Sequence, residues 1–129
     1  MDAELARLAE KSKYVLVTTF RKDGTGVPTP VWAARDGDEL LFWTRADSGK
    51  VKRLRRDQAV ELAECDVRGK PKSEPVRGTT RLLDADGTAK ARKVIARKYG
   101  LSGWLVVYSS RLFRGAGGTI CYAVTSTQG

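Results

Sequence analysis

The sequence predicts a mainly-β α+β domain, a small antiparallel barrel flanked by helices. Three observations carry that reading. Short runs rich in β-branched and aromatic residues recur along the chain, the first three of them separated by Asp-Gly turns. Amphipathic helical stretches interrupt these runs, so the strands cannot form a simple up-and-down meander. With 129 residues and an apolar share of 41%, the chain can build one hydrophobic core and no second one, so it reads as a single domain.

The elements follow in order. Leu5, Leu8 and Ala9 recur at helical spacing within residues 2–11, and acidic residues near the start suit the helix dipole. Tyr14-Val-Leu-Val-Thr-Thr-Phe20 is the first strand, Asp23-Gly24 the turn, and Val27 to Arg35 the return strand. Pro28 and Pro30 lie two apart, so both lack an amide on the same side, which suits an edge. After Asp36-Gly37-Asp38 comes the strand Glu39 to Thr44. Asp47 and Ser48 can cap a helix ending near Arg56. Two further strands span Ala59 to Val67 and Val76 to Leu83, joined by a basic loop. Asp84, Asp86 and Gly87 open an amphipathic helix, Thr88 to Tyr99, which Gly100 closes. Ser102 to Phe113 mixes helical and strand signals and is assigned as helix, and Thr119 to Thr125 is the last strand.

Composition excludes several chemistries. The chain has no histidine, which removes Ser-His-Asp and Cys-His catalysis, His-ligated zinc and histidine-held haem. Cys65 and Cys121 lack metal-ligand spacing and read as buried reduced thiols, and no metal site is expected. No apolar run reaches the roughly 20 residues needed to cross a bilayer, and the acidic start is unlike a secretory leader. A cytoplasmic location is the expectation. The net charge of +9 calls for an anionic partner: nucleic acid, acidic lipid or a polyanionic small molecule.

Arg45 to Arg56 concentrates that charge. Six basic residues stand against one acid, and a helix from Gly49 would turn Val51 and Leu54 inward. A lysine in the first turn opposes the helix dipole unless an anion sits there. The free amides beside Ser48 and Gly49 offer that anion a seat. A phosphorylated ligand fits this pattern. No Gly-x-x-x-x-Gly-Lys-Ser/Thr loop is present, and the segment holds no aromatic residue for stacking single-stranded nucleic acid.

The strings Val27-Pro-Thr-Pro-Val-Trp32, Leu41-Phe-Trp-Thr44 and Ser48-Gly-Lys-Val-Lys-Arg-Leu-Arg-Arg-Asp57, in this order, resemble successive elements of the pyridoxamine 5'-phosphate oxidase-like split-barrel superfamily. They resemble more closely its actinobacterial branch that binds the deazaflavin coenzyme F-420. Lys98-Tyr-Gly100 and Arg111-Leu-Phe-Arg114 are similar to a subgroup with a longer C-terminal helical region.

That resemblance implies a six-stranded antiparallel split β-barrel with flanking helices, of the FMN-binding split-barrel type. It implies a homodimer with the cofactor in a groove at the subunit interface. Carried over by position, Ser48, Gly49 and Lys50 would meet the cofactor phosphate, with Thr44, Arg45, Lys52 and Arg53 beside them. Thr29, Pro30, Val31 and Trp32 would run along the tricyclic ring, and residues around Pro75 and Arg77 would come from the partner. Trp43 reads as core. The implied activity is hydride transfer from reduced F-420 to an electron-poor small molecule such as a quinone, enone or tetrapyrrole. FMN is the alternative cofactor, and a carrier without turnover the alternative role. F-420 bears a phosphodiester, a lactate carboxylate and an oligoglutamate tail, and Arg55, Arg56, Lys70 and Lys72 are spare cations for such a tail. No catalytic acid or base stands out; Tyr99, Tyr108 and Tyr122 are the candidates considered, each with a structural reading.

Overall fold

The computed structural model describes residues 3–45, 48–98 and 119–126. Its order is α1 (Ala3–Lys11), β1 (Tyr14–Phe20), β2 (Gly26–Val31), β3 (Ala33–Asp36), β4 (Glu39–Arg45), α2 (Gly49–Arg56), β5 (Ala59–Cys65), β6 (Val76–Leu82), a helix over residues 85–98 (α3) and β7 (Thr119–Ser126). The helix expected over 102–113, with Tyr99, Tyr108 and the capping Asp47, lies outside the described residues.

One antiparallel sheet of seven strands runs β2-β1-β5-β6-β7-β4-β3. Its two edges, β2 and β3, are consecutive in the chain, so the sheet curls back on itself into a half-barrel. Here the expected count of six strands is corrected. Val27 to Arg35 does not form one strand, because its halves pair in different places: Val31 opposite Val15 of β1, and Ala33 opposite Phe42 of β4. The chain breaks at Trp32 to make that change of partner. Pro28 and Pro30 face Thr18 and Leu16 on the edge strand, where a missing amide costs no second ladder. The β1–β2 turn closes as its residues require: Gly24 takes φ 89°, and the Asp23 carboxylate accepts the Thr25 amide at 2.9 Å.

The concave face holds the main core. Val15 and Val17 of β1, Leu40 and Phe42 of β4, Leu62 of β5 and Val124 of β7 meet Leu5, Leu8 and Ala9 of α1 and Val51 and Leu54 of α2. The helical periodicities expected for α1 and α2 are therefore the ones that bury. Tyr122 stacks on Phe42 inside this core, with ring centroids 5.4 Å apart, so its role is packing. On the convex face α3 covers β3, β4 and β7 through Ala91, Val94 and Ile95 against Ala34, Leu41, Cys121 and Ala123. Asp84 opens α3 three residues earlier than the Thr88 start expected, its carboxylate accepting the Gly87 amide and its carbonyl the Thr88 amide, both at 2.8 Å. Strand β5 stops at Cys65, two residues short of expectation, because Asp66 turns the chain, accepting the amides of Arg68 and Lys70 at 2.9 Å each.

Lys98 ties the layers together. Its ammonium donates to the carbonyls of Ala9, Ser12 and Ala33 at 2.7, 2.6 and 2.6 Å, joining α3 to the end of α1 and the start of β3. Cys65 and Cys121 are buried free thiols, as expected, and burial pushes the Cys121 thiol up to about 12. No helix among the described residues is long and apolar enough to cross a membrane.

Candidate functional site

The split in the barrel makes a slot. Pairing between β3 and β4 ends at Ala33–Phe42, while β4 continues alongside β7 to Arg45. Among the described residues Trp43 and Thr44 therefore have no strand partner on the side from which β2 has departed. A cleft of about 350 Å³ opens there, lined by Tyr14, Pro30, Val31, Trp32, Trp43, Thr44, Lys50 and Val67. Five of the thirteen residues expected at the cofactor come together in it: Pro30, Val31, Trp32, Thr44 and Lys50. None of the described lining residues is acidic.

Lys50 is the unusual member. The amphipathic pattern of α2 buries Val51 and Leu54, and the helix seats Lys50 beside them with only 9% of its surface exposed. Among the described residues no hydrogen bond or ion pair neutralises its ammonium. Burial, and then the nearby Arg53 guanidinium, pull its pKa below the ordinary lysine value. A buried cation without a partner is costly, and an anion in the slot would relieve the cost.

The start of α2 is open as well. Ser48 occupies the N-cap with extended backbone, but its hydroxyl makes no capping bond, contrary to expectation. It shares a 3.3 Å hydrogen bond with the hydroxyl of Thr44, near the end of β4, instead. The first turn contains no acidic residue. Arg53 folds back over this end: its Nη1 and Nη2 lie 2.8 and 3.3 Å from where a Cβ on Gly49 would stand, so only glycine leaves room for the guanidinium there. Ser48, Gly49, Lys50, Arg53 and Thr44 thus form one cluster at the foot of the slot.

The other expected residues are placed differently. Thr29 is half-buried on β2 opposite Val17 and does not line the cleft. Arg45 and Lys52 are exposed, Arg45 at the end of β4 and Lys52 on α2. Arg77 is exposed on β6 opposite Glu61 of β5, and Pro75 borders a different cavity of about 330 Å³ with Leu16, Thr18, Ala63 and Pro71. Neither Pro75 nor Arg77 joins the cleft of its own chain. Arg56 is not spare, because it donates to the Phe20 carbonyl at 2.6 Å.

Three lining residues lay outside the expected set. Trp43, assigned to the core, is half-buried: it packs on the α3 clusters and borders the cleft. Its position on the same strand face as Leu41 was the available signal. Tyr14 opens β1 at the slot's rim. Val67, 63% exposed, projects from the β5–β6 turn, which Gly69 packs against Pro30. No sequence pattern announces a contact of that kind.

A curled antiparallel sheet with a slot at its break, and a helix N-terminus beneath, defines a split-barrel protein. A family model for pyridoxamine 5'-phosphate oxidase matches residues 1–112, and the chain belongs to that family. Solved structures agree on the fold. An F420 reductase is 19% identical with a TM-score of 0.67, the match covering 98% of this chain and 96% of that one. A conserved hypothetical protein from Mycobacterium tuberculosis is 18% identical with a TM-score of 0.72, over 99% of this chain and 81% of that one. A heme storage protein from Vibrio cholerae is 9% identical with a TM-score of 0.67, over 99% and 91%. A search of curated proteins finds no match.

Proposed function

We propose that the chain is an oxidoreductase that binds coenzyme F-420 in the slot and passes hydride to an electron-poor small molecule such as a quinone, enone or tetrapyrrole. The observation that carries this reading is Lys50, buried and without a partner among the described residues, at the foot of an aromatic-walled slot. The slot's walls suit a flat conjugated ring, and its foot suits the phosphate attached to one. Lys50, the Arg53 guanidinium and the open amides of Gly49 and Lys50 hold the phosphate; Trp32, Trp43 and Tyr14 flank the ring; Pro30 and Val31 offer backbone to its polar edge. Thr29, Arg45 and Lys52 extend this set along β2 and around the mouth. When bound, the reduced cofactor supplies the hydride. The protein's part is to orient the ring and exclude water from one of its faces.

The working unit is a homodimer. The convex face of β1 and β5, where Leu16, Ala63, Pro71 and Pro75 line an apolar recess, is the surface a second copy would cover, bringing Pro75 and Arg77 to the partner's cleft.

The described lining residues include no carboxylate or imidazole to serve as acid or base, which favours as second reading a carrier of F-420 or FMN without turnover. Histidine is absent from the sequence, so an imidazole-ligated haem has no ligand here. The test is titration of purified protein with F-420, FMN and haem, followed by fluorescence and absorbance. Tight uptake of F-420, followed by oxidation of the reduced complex by a quinone or enone panel, supports the enzyme. Uptake without oxidation supports the carrier, and uptake of neither flavin type refutes both.

A further inference from the structure

Thr19 is a hydroxyl in an apolar place. It lies on the concave face of β1 in line with Val15 and Val17, and none of its surface is exposed. Valine would fill the same volume without a polar group to satisfy. Among the described residues the hydroxyl has one partner from outside the strand: it accepts the Arg53 Nε–H at 2.6 Å. With Nε engaged, the guanidinium plane is fixed, and Nη1 and Nη2 are held across Gly49 at the start of α2. Among the described residues no acid pairs with Arg53 or Lys50, and Arg53 is itself one of the causes that lower the Lys50 pKa. Two like charges are therefore kept close, at a cost, by a bond from the barrel interior.

We propose that Thr19 is a positioning residue that locks Arg53 as the second arm of a clamp for a ligand phosphate, and so sets the preference for phosphorylated over phosphate-free ligands. The inference rests on the reading of the α2 start as a phosphate seat. It separates Arg53 from Lys52: the two are adjacent in sequence, but Lys52 is exposed and belongs to the general basic surface. A free arginine gives up rotamer entropy on forming a two-pronged contact with phosphate; one already held at Nε loses less.

The experiment compares two ligand pairs by fluorescence titration: F-420 with its chromophore lacking the phospholactyl tail, and FMN with riboflavin. In the wild type the phosphorylated member of at least one pair binds tighter. Thr19→Val, with circular dichroism unchanged, is expected to lose about fivefold to tenfold in affinity for that member and nothing for its phosphate-free counterpart. Thr19→Ser restores the loss. Arg53→Lys keeps the charge without the Nε bond, reproduces the selective loss, and carries the test should Thr19→Val fold poorly. A variant pair that weakens both ligands equally, or neither, overturns the inference alone. A wild type that does not discriminate within either pair overturns the phosphate seat and the inference together.

Discussion

Replacing Lys50 with methionine moves two quantities in opposite directions, which a merely structural lysine would not do. Methionine matches the length of the aliphatic stem and favours helix about as well as lysine. In the free protein the change removes the ammonium of a lysine that is 9% exposed as a residue and has no partner among the described residues. Burial of an unsatisfied polar group costs about 1–3 kcal/mol, so the apo protein is expected to melt a few degrees higher. In the proposed complex the change would remove a charge-assisted hydrogen bond to the phosphate, worth about 1.5–3 kcal/mol, or roughly tenfold to 150-fold in Kd. Differential scanning calorimetry reads the first quantity and fluorescence titration with F-420 and FMN the second. The pH dependence supplies a sign check. Because the folded-state pKa of Lys50 is lowered, the folded chain binds fewer protons than the unfolded chain just below the ordinary lysine value of 10.5. The stability of the wild type therefore gains from Lys50 as pH rises through that window, and the methionine variant lacks this part of the slope. A variant that melts lower while binding FMN and F-420 as tightly as the wild type would refute the reasoning.

Two further substitutions probe the surroundings. Gly49→Ala improves helix propensity by up to about 1 kcal/mol, yet its Cβ would stand 2.8 Å from Arg53 Nη1. The methyl group pushes the outer guanidinium nitrogens off the start of the helix, so the melting temperature is expected to hold or rise while affinity for the phosphorylated ligand falls severalfold, as read by the same titration. Lys98→Met leaves the carbonyls of Ala9, Ser12 and Ala33 without their shared donor and is expected to cost about 2 kcal/mol or more in urea unfolding at pH 7. Burial lowers the Lys98 pKa to about 8, so between about 8 and 10.5 the folded state binds fewer protons than the unfolded state and wild-type stability rises with pH. That rise diminishes in the variant.

What the amino-acid order determined by itself is local. The apolar spacing of Leu5, Leu8 and Ala9, the alternation along β1 and β4 and the inward pair Val51 and Leu54 each state which face will bury, because periods of 3.6 and 2 are properties of the backbone. The Asp-Gly turn, the paired prolines of an edge strand and the cation-rich start of α2 were legible for the same reason, and the last of these pointed to the foot of the slot. The tertiary structure alone decided the rest. Whether Val27 to Arg35 is one strand or two depends on which neighbours it meets, and the break at Trp32 exists because β1 and β4 are too far round the curl to share one straight partner. The same break sets Tyr14, Trp43 and Val67, from three separate elements, around one cleft. Burial of Lys50 without a partner among the described residues, and the reach of Arg53 to Thr19 across 34 positions of sequence, are likewise products of packing. Local pattern fixes the face a residue shows to its own strand or helix; distance between elements is set only when the sheet curls, and the cleft is made of such distances.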